Sequence, residues 1–227
     1  MDKLPLSVYD FFAYLSSGFV TLVGVAAAFT GSDDWQETPG AIVGILLLVI
    51  AYAVGHVVAN ISGFFLEGVI VRRWLKRPSV NLLRSTPPRW AWLFPGYARP
   101  LPASQQERIT KRARTAGVPP EGEGLFFHCF GLVKQHESVM SRLETFLNLY
   151  GFCRNMCLAA LIVGVALVIG SVTGSAKTGP LVSPGWWAAG CLVAAVALFY
   201  RYLKFLRHYT LEVFVSYAEP QQAAHSS

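Results

Sequence analysis

The sequence predicts an all-α fold: an integral membrane four-helix bundle with a cytosolic helical insert and helices that extend into the cytosol. Three observations lead there. The 227 residues have a mean hydropathy of +0.43 and only 14% charged side chains, too apolar for an ordinary soluble domain of this size. Four apolar runs reach the roughly 20 residues that a helix needs to cross hydrocarbon. Charge is also segregated, since 14 of the 19 Lys and Arg residues lie between Arg72 and Arg154, whereas positions 31–40 hold Asp33, Asp34 and Glu37 and no base. By the positive-inside rule the basic middle and both termini are cytoplasmic, and the acidic loop is outside.

The first two spans fall in 1–77. The run Phe11–Ser32 is uncharged, and its leader, with Asp2 and Asp10 beside a single Lys3, reads as a retained anchor and not a cleaved signal. Ser17, Thr21, Gly24 and Ala28 share one stripe, and small residues so placed let a neighbouring helix approach closely. No charge interrupts positions 38–66. Within that run and just beyond it, Tyr52, His56, Asn60 and Glu67 lie on one side of an α-helix, either lining a cytoplasmic vestibule or holding the bundle together as paired polar groups. Arg72, Arg73, Lys76 and Arg77 then close the helix at the headgroups, with Pro78 as the stop.

The 78–124 insert holds eight of the 13 prolines. Its Pro87–Tyr97 run interleaves aromatics with arginine, the composition of a membrane interface. Ser104 and Glu107 have the spacing of a capping box for a basic helix ending at Gly117. Segment 125–154 is expected to be a cytosolic helix continuous with the third span, because Phe126, Phe130, Val133, Glu137, Met140, Glu144, Leu147 and Tyr150 recur at steps of three and four. The third and fourth spans occupy 155–200, and 201–227 is a cytosolic C-terminal helix and tail. Arg154, Arg201 and Lys204 mark the inner interface.

Chemistry is sparse. No Walker loop, nucleophile elbow, HExxH or glycine-rich dinucleotide turn occurs, so no catalytic residue, cofactor or metal site is assigned. Cys129, Cys153, Cys157 and Cys191 read as free, buried thiols. His128 and His136 are out of phase for one metal ion. Arg201 and His208 formally fit the Arg-x(4–6)-His spacing of HEPN ribonucleases, although their aromatic surroundings suit an interfacial helix better.

Three segments carry a family resemblance: Val8-Tyr9-Asp10-Phe11-Phe12-Ala13-Tyr14-Leu15-Ser16-Ser17-Gly18, Leu149-Tyr150-Gly151-Phe152-Cys153-Arg154-Asn155 and Arg201-Tyr202-Leu203-Lys204-Phe205-Leu206-Arg207-His208-Tyr209. Together they resemble a broad set of uncharacterised bacterial four-helix membrane proteins, some similar to the small accessory membrane proteins encoded beside CRISPR and other phage-defence systems. The resemblance leaves out the Pro-rich insert. It implies a non-enzymatic inner-membrane accessory or effector protein, in one form an oligomeric pore. The expected partners are the lipid bilayer, further copies of the chain, and a cytosolic protein engaged through 78–154, with nucleic acid disfavoured. A membrane-tethered ribonuclease centred on Arg201 and His208 and a scaffold without transport are the alternatives.

Overall fold

The computed structural model describes residues 8–29, 40–175 and 183–219. The acidic residues Asp33, Asp34 and Glu37, the loop containing Lys177 and the tail beyond Glu219 lie outside them. Among the described residues the chain is all-helical, with no strand. Helix α1 covers Val8–Phe29 and α2 covers Ala41–Ser62; a π-helix, Gly63–Leu75, follows. Short helices α3 (Pro78–Leu82) and α4 (Pro95–Ala98) flank a 3₁₀ turn at Arg89–Trp92. Then come α5 (Ala103–Thr115), α6 (Gly122–Val133), α7 (Glu137–Thr173) and α8 (Pro184–Ala218). Four of these segments, starting at Phe11, Ala41, Glu137 and Pro184, are long and apolar enough to cross a membrane.

The chain divides into two compact units, 1–69 with 151–202, and 70–150 with 203–227. Unit 1 has a core of small residues, among them Ala13, Ser17, Ala28, Ala51, Ala59, Ala159 and Ala195. Small side chains let helices approach closely where the hydrophobic effect gives little drive to associate. A Cβ built on Gly18 would stand 1.7 Å from the Ala51 carbonyl oxygen, and one on Gly55 would stand 1.9 Å from that of Tyr14. The two glycines therefore set the α1–α2 crossing. On the α7 side, a Cβ on Gly24 would meet the Val163 side chain at 2.4 Å.

Ser17 and Thr21 are buried in this core, but their hydroxyls donate to carbonyls of their own helix, Tyr14 and Ser17, at 3.1 and 2.7 Å. They fill space at the helix contact without bonding across it. Cys153 and Cys157 are buried free thiols, and the Cys157 thiol donates to the Ala195 carbonyl on α8 at 3.3 Å. The opposite extreme is the first half of α2, where Ile42, Ile45, Leu46, Leu47, Val49 and Ile50 are all exposed, the surface that a span offers to lipid.

Unit 2 is held by a conventional apolar core. Leu82, Ile109, Leu125, Cys129, Leu143, Val213, Phe214 and Tyr217 belong to it, and Phe126 meets Phe130, Tyr209 and Phe214 in ring contacts. Gln106 closes the Pro-rich stretch by donating to the carbonyls of Leu82, Arg84 and Leu101. Arg112 lies over the Tyr217 ring and donates to the carbonyls of Tyr217 and Glu219, capping the C-terminal end of α8, where a cation is favoured.

Three expectations change here. The rod expected from Leu125 onward breaks at 134–136, between α6 and α7. The buried positions do not by themselves demand it: on an unbroken rod Leu125, Cys129, Val133, Val139 and Leu143 would lie within about 120° of one another, the width of one apolar face. The capping box does not form, because α5 starts at Ala103 with Pro102 at its cap and no side-chain cap bond; Gly117 nevertheless takes the left-handed φ of +70° after that helix. The second apolar run, finally, changes from α to π at Gly63.

Burial pushes the Cys129 thiol from its ordinary 9.0 up to about 12. A folded value above the unfolded one stabilises the fold below pH 9, and that contribution is lost as pH rises toward the folded value. Unfolding followed by circular dichroism should therefore show falling stability above pH 9, with a shallower fall in Cys129→Ala. Iodoacetamide at pH 8 should leave Cys129 unmodified until the chain is denatured.

Candidate functional site

The polar residues of unit 1 collect where α2 gives way to the π-helix and where α7 faces it. Glu67 Oε2 accepts from Arg154 Nη1 at 2.8 Å, with the arginine side chain 17% exposed and the carboxylate 37%. Beside this pair Asn155 is buried, and its Oδ1 accepts from Ser62 Oγ at 2.8 Å and, more loosely, from Arg154 Nε and Nη2 at 3.4 Å each. The arginine nitrogens are obligate donors, which orients the Asn155 amide with its oxygen toward them. Ser62 has one proton for two acceptors, the other being the Ala59 carbonyl at 2.9 Å.

The π-helix aims Glu67. In a continuing α-helix, Glu67 would return to the side of Tyr52 and His56. A π turn bonds i to i+5 and holds more residues, so the phase slips after Ser62 and the carboxylate is carried to Arg154. The guanidinium lies beside Gly63, where a Cβ would be in ordinary contact with Nη1 at 3.6 Å.

The stripe read from the sequence is thus divided. His56 stacks on Tyr14 of α1 at 4.2 Å and meets Tyr52 edge-on at 4.6 Å, while Tyr52 also meets Phe11 at 5.3 Å. Glu67 turns to α7, and Asn60 is exposed. Periodicity did not reveal Arg154 and Asn155 as the partners of Glu67 and Ser62, nor Gly18 and Gly55 as the crossing point. The available signal was glycine inside each apolar run, but Gly18 and Gly24 in the first and Gly44, Gly55 and Gly63 in the second did not single out the crossing point.

Of the other basic residues, Arg72, Arg73, Lys76, Arg201 and Lys204 are exposed, and Arg77 pairs with Glu123 at 2.9 Å. Arg201 belongs to unit 1 and His208 to unit 2. The His208 Nδ1 faces the Lys204 carbonyl at 2.8 Å, so that nitrogen carries a proton and serves its own helix. Among the described residues no three His, Cys, Asp or Glu side chains could hold a metal ion. Compared with known protein families, curated proteins and solved structures, the chain matches none of them.

The arrangement can do two things chemically. It satisfies polar groups that would be costly to leave buried and unpaired. It also joins the π-helix to α7 by a charge-assisted bond, stronger than a neutral one.

Proposed function

We propose that the chain is a non-enzymatic, multi-pass inner-membrane accessory protein of a bacterial defence system. Unit 1 is its membrane-embedded four-helix bundle, and the region from Arg72 to Arg154 and both termini face the cytoplasm. It works as a homo-oligomer and engages a cytosolic protein through 78–154. The observation that supports a scaffold-like, non-catalytic bundle is the mutual pairing of unit 1's polar side chains: Glu67 with Arg154, Ser62 with Asn155, and His56 with Tyr14. Ionisable and polar groups of a membrane bundle that pair with each other, at its inner edge as within it, hold helices together.

An oligomeric pore is the effector form of the same reading. It draws support from Asn60, which is exposed between the exposed Val57 and Ile61 and would line or seal a contact between copies. Topology is the first test. Reporter fusions after Ser32 and near Lys177 should be periplasmic, and those after Arg77 and at Ser227 cytosolic; a periplasmic reporter at Arg77 would overturn the arrangement. Plaque counts on a deletion strain should exceed those on its parent, and equal counts across a phage panel would remove the defence role.

A further inference from the structure

We propose that the corner of unit 2 around Lys76 is a recognition surface for anionic phospholipid headgroups. The proposal rests on the multi-pass membrane reading but not on the defence or pore readings. Between Glu67 and Glu107 the chain has no acidic residue and seven cations, Arg72, Arg73, Lys76, Arg77, Arg84, Arg89 and Arg99. Among the described residues only Arg77 of these is in an ion pair, with Glu123. Arg72, Arg73, Lys76 and Arg89 are exposed and carry uncompensated charge.

The fold fastens together the two segments that carry Arg72, Arg73, Lys76 and Arg89 and the indoles Trp74 and Trp92. Lys76 takes a left-handed φ of 61°, an uncommon conformation for a residue with a side chain, and so turns the chain out of the π-helix. The turn is clamped. Asn81 Nδ2 donates to the Leu75 and Lys76 carbonyls at 2.9 and 3.3 Å, and Tyr97 Oη donates to the Lys76 carbonyl at 2.8 Å. Trp90 packs against Tyr97 with ring centroids 6.2 Å apart. The 3₁₀ turn that bears Arg89 and Trp92 is thereby fastened to the end of the π-helix that bears Arg72, Arg73 and Trp74.

Trp74 is 74% exposed and Trp92 79% exposed, with Leu93 beside it at 42%. Indoles standing in water next to bare cations have one environment that suits both, the boundary between headgroups and acyl chains. The exposed, uncompensated cations Arg72, Arg73, Lys76 and Arg89 complement a negative leaflet. In the chain, Arg72, Arg73 and Trp74 follow directly on a span-length apolar helix, the position of a juxtamembrane basic cluster.

The test uses the full chain in nanodiscs of phosphatidylcholine with a minority of phosphatidylglycerol, some carrying brominated acyl chains. Phosphatidylglycerol co-purified in detergent should be enriched over its bulk fraction, and Arg72→Gln/Arg73→Gln/Arg89→Gln should lower that enrichment, by up to about fivefold per cation removed. Trp74→Phe/Trp92→Phe should remove part of the bromine-quenched emission, leaving that of the four other tryptophans, Trp35, Trp90, Trp186 and Trp187. Phosphatidylglycerol at its bulk fraction, or enrichment unchanged in the triple variant, overturns the proposal; normal quenching in the same sample shows that the membrane reading stands. Absence of quenching overturns both. Poly(U) binding that is lost in the triple variant while lipid retention persists would assign the surface to nucleic acid instead. If the triple variant fails to fold, Arg89→Gln alone carries the comparison, since its side chain is exposed.

Discussion

Gly55→Leu is expected to destabilise unit 1 by about 3 kcal/mol or more, beyond the usual cost of overpacking a core. The cost is high because the obstacle is backbone. A Cβ at this position would lie 1.9 Å from the Tyr14 carbonyl oxygen, 2.6 Å from its carbon and 3.0 Å from its Cα, and no rotamer change can clear them. Gly18→Leu should behave alike, since its neighbours are the Ala51 carbonyl and the Gly55 nitrogen. Gly24→Leu should cost less, because the group it meets is the Val163 side chain. Thermal unfolding in detergent checks the order. Equal and small losses at all three positions would show that α1 and α2 do not cross at Gly18 and Gly55.

Arg154→Leu is expected to cost about 2 kcal/mol, between the values typical of exposed and of fully buried pairs. It leaves Glu67 without a counter-ion and removes two loose donors from Asn155. Glu67→Gln should cost less, since an amide keeps an acceptor for Arg154 Nη1. The double variant Glu67→Leu/Arg154→Leu should recover most of the loss, because replacing both partners by apolar groups removes the unpaired charge. A double variant as unstable as the sum of the single ones would show that the two residues do not act as a pair.

Which parts of this structure were legible in the sequence follows from the kind of signal involved. Hydropathy and charge act locally, so the all-helical character and four span-length apolar helices could be read directly. The break between α6 and α7 was hidden because residues at steps of three and four persist through 134–136, and the buried positions on either side, Leu125, Cys129, Val133, Val139 and Leu143, fit one face of an unbroken helix. The π-helix was hidden for a related reason: a stripe drawn at 100° per residue assumes α geometry throughout, and beyond Ser62 that assumption aims Glu67 at the wrong neighbour. Arg154 was read as an interfacial cation because a single sequence carries no sign of a partner 87 positions away. The close approach of α1 and α2 runs through Gly18, one residue from the small-residue stripe that begins at Ser17, and spacing alone does not show which of two adjacent small residues faces a neighbour.

The claim that unit 1's polar residues are a lock and not a conduit is tested most directly by flux through proteoliposomes containing the full chain. Wild type, Glu67→Gln and His56→Ala are compared at neutral pH, with unfolding of each measured in parallel. The lock predicts no ion flux from any of the three and lower stability in both variants, because Glu67→Gln removes the charge that Arg154 faces and His56→Ala removes the ring stacked on Tyr14. A wild-type current whose cation selectivity changes in Glu67→Gln, with stability unaltered, would contradict it and make the Tyr52, His56, Asn60 and Glu67 side of α2 the lining of a path.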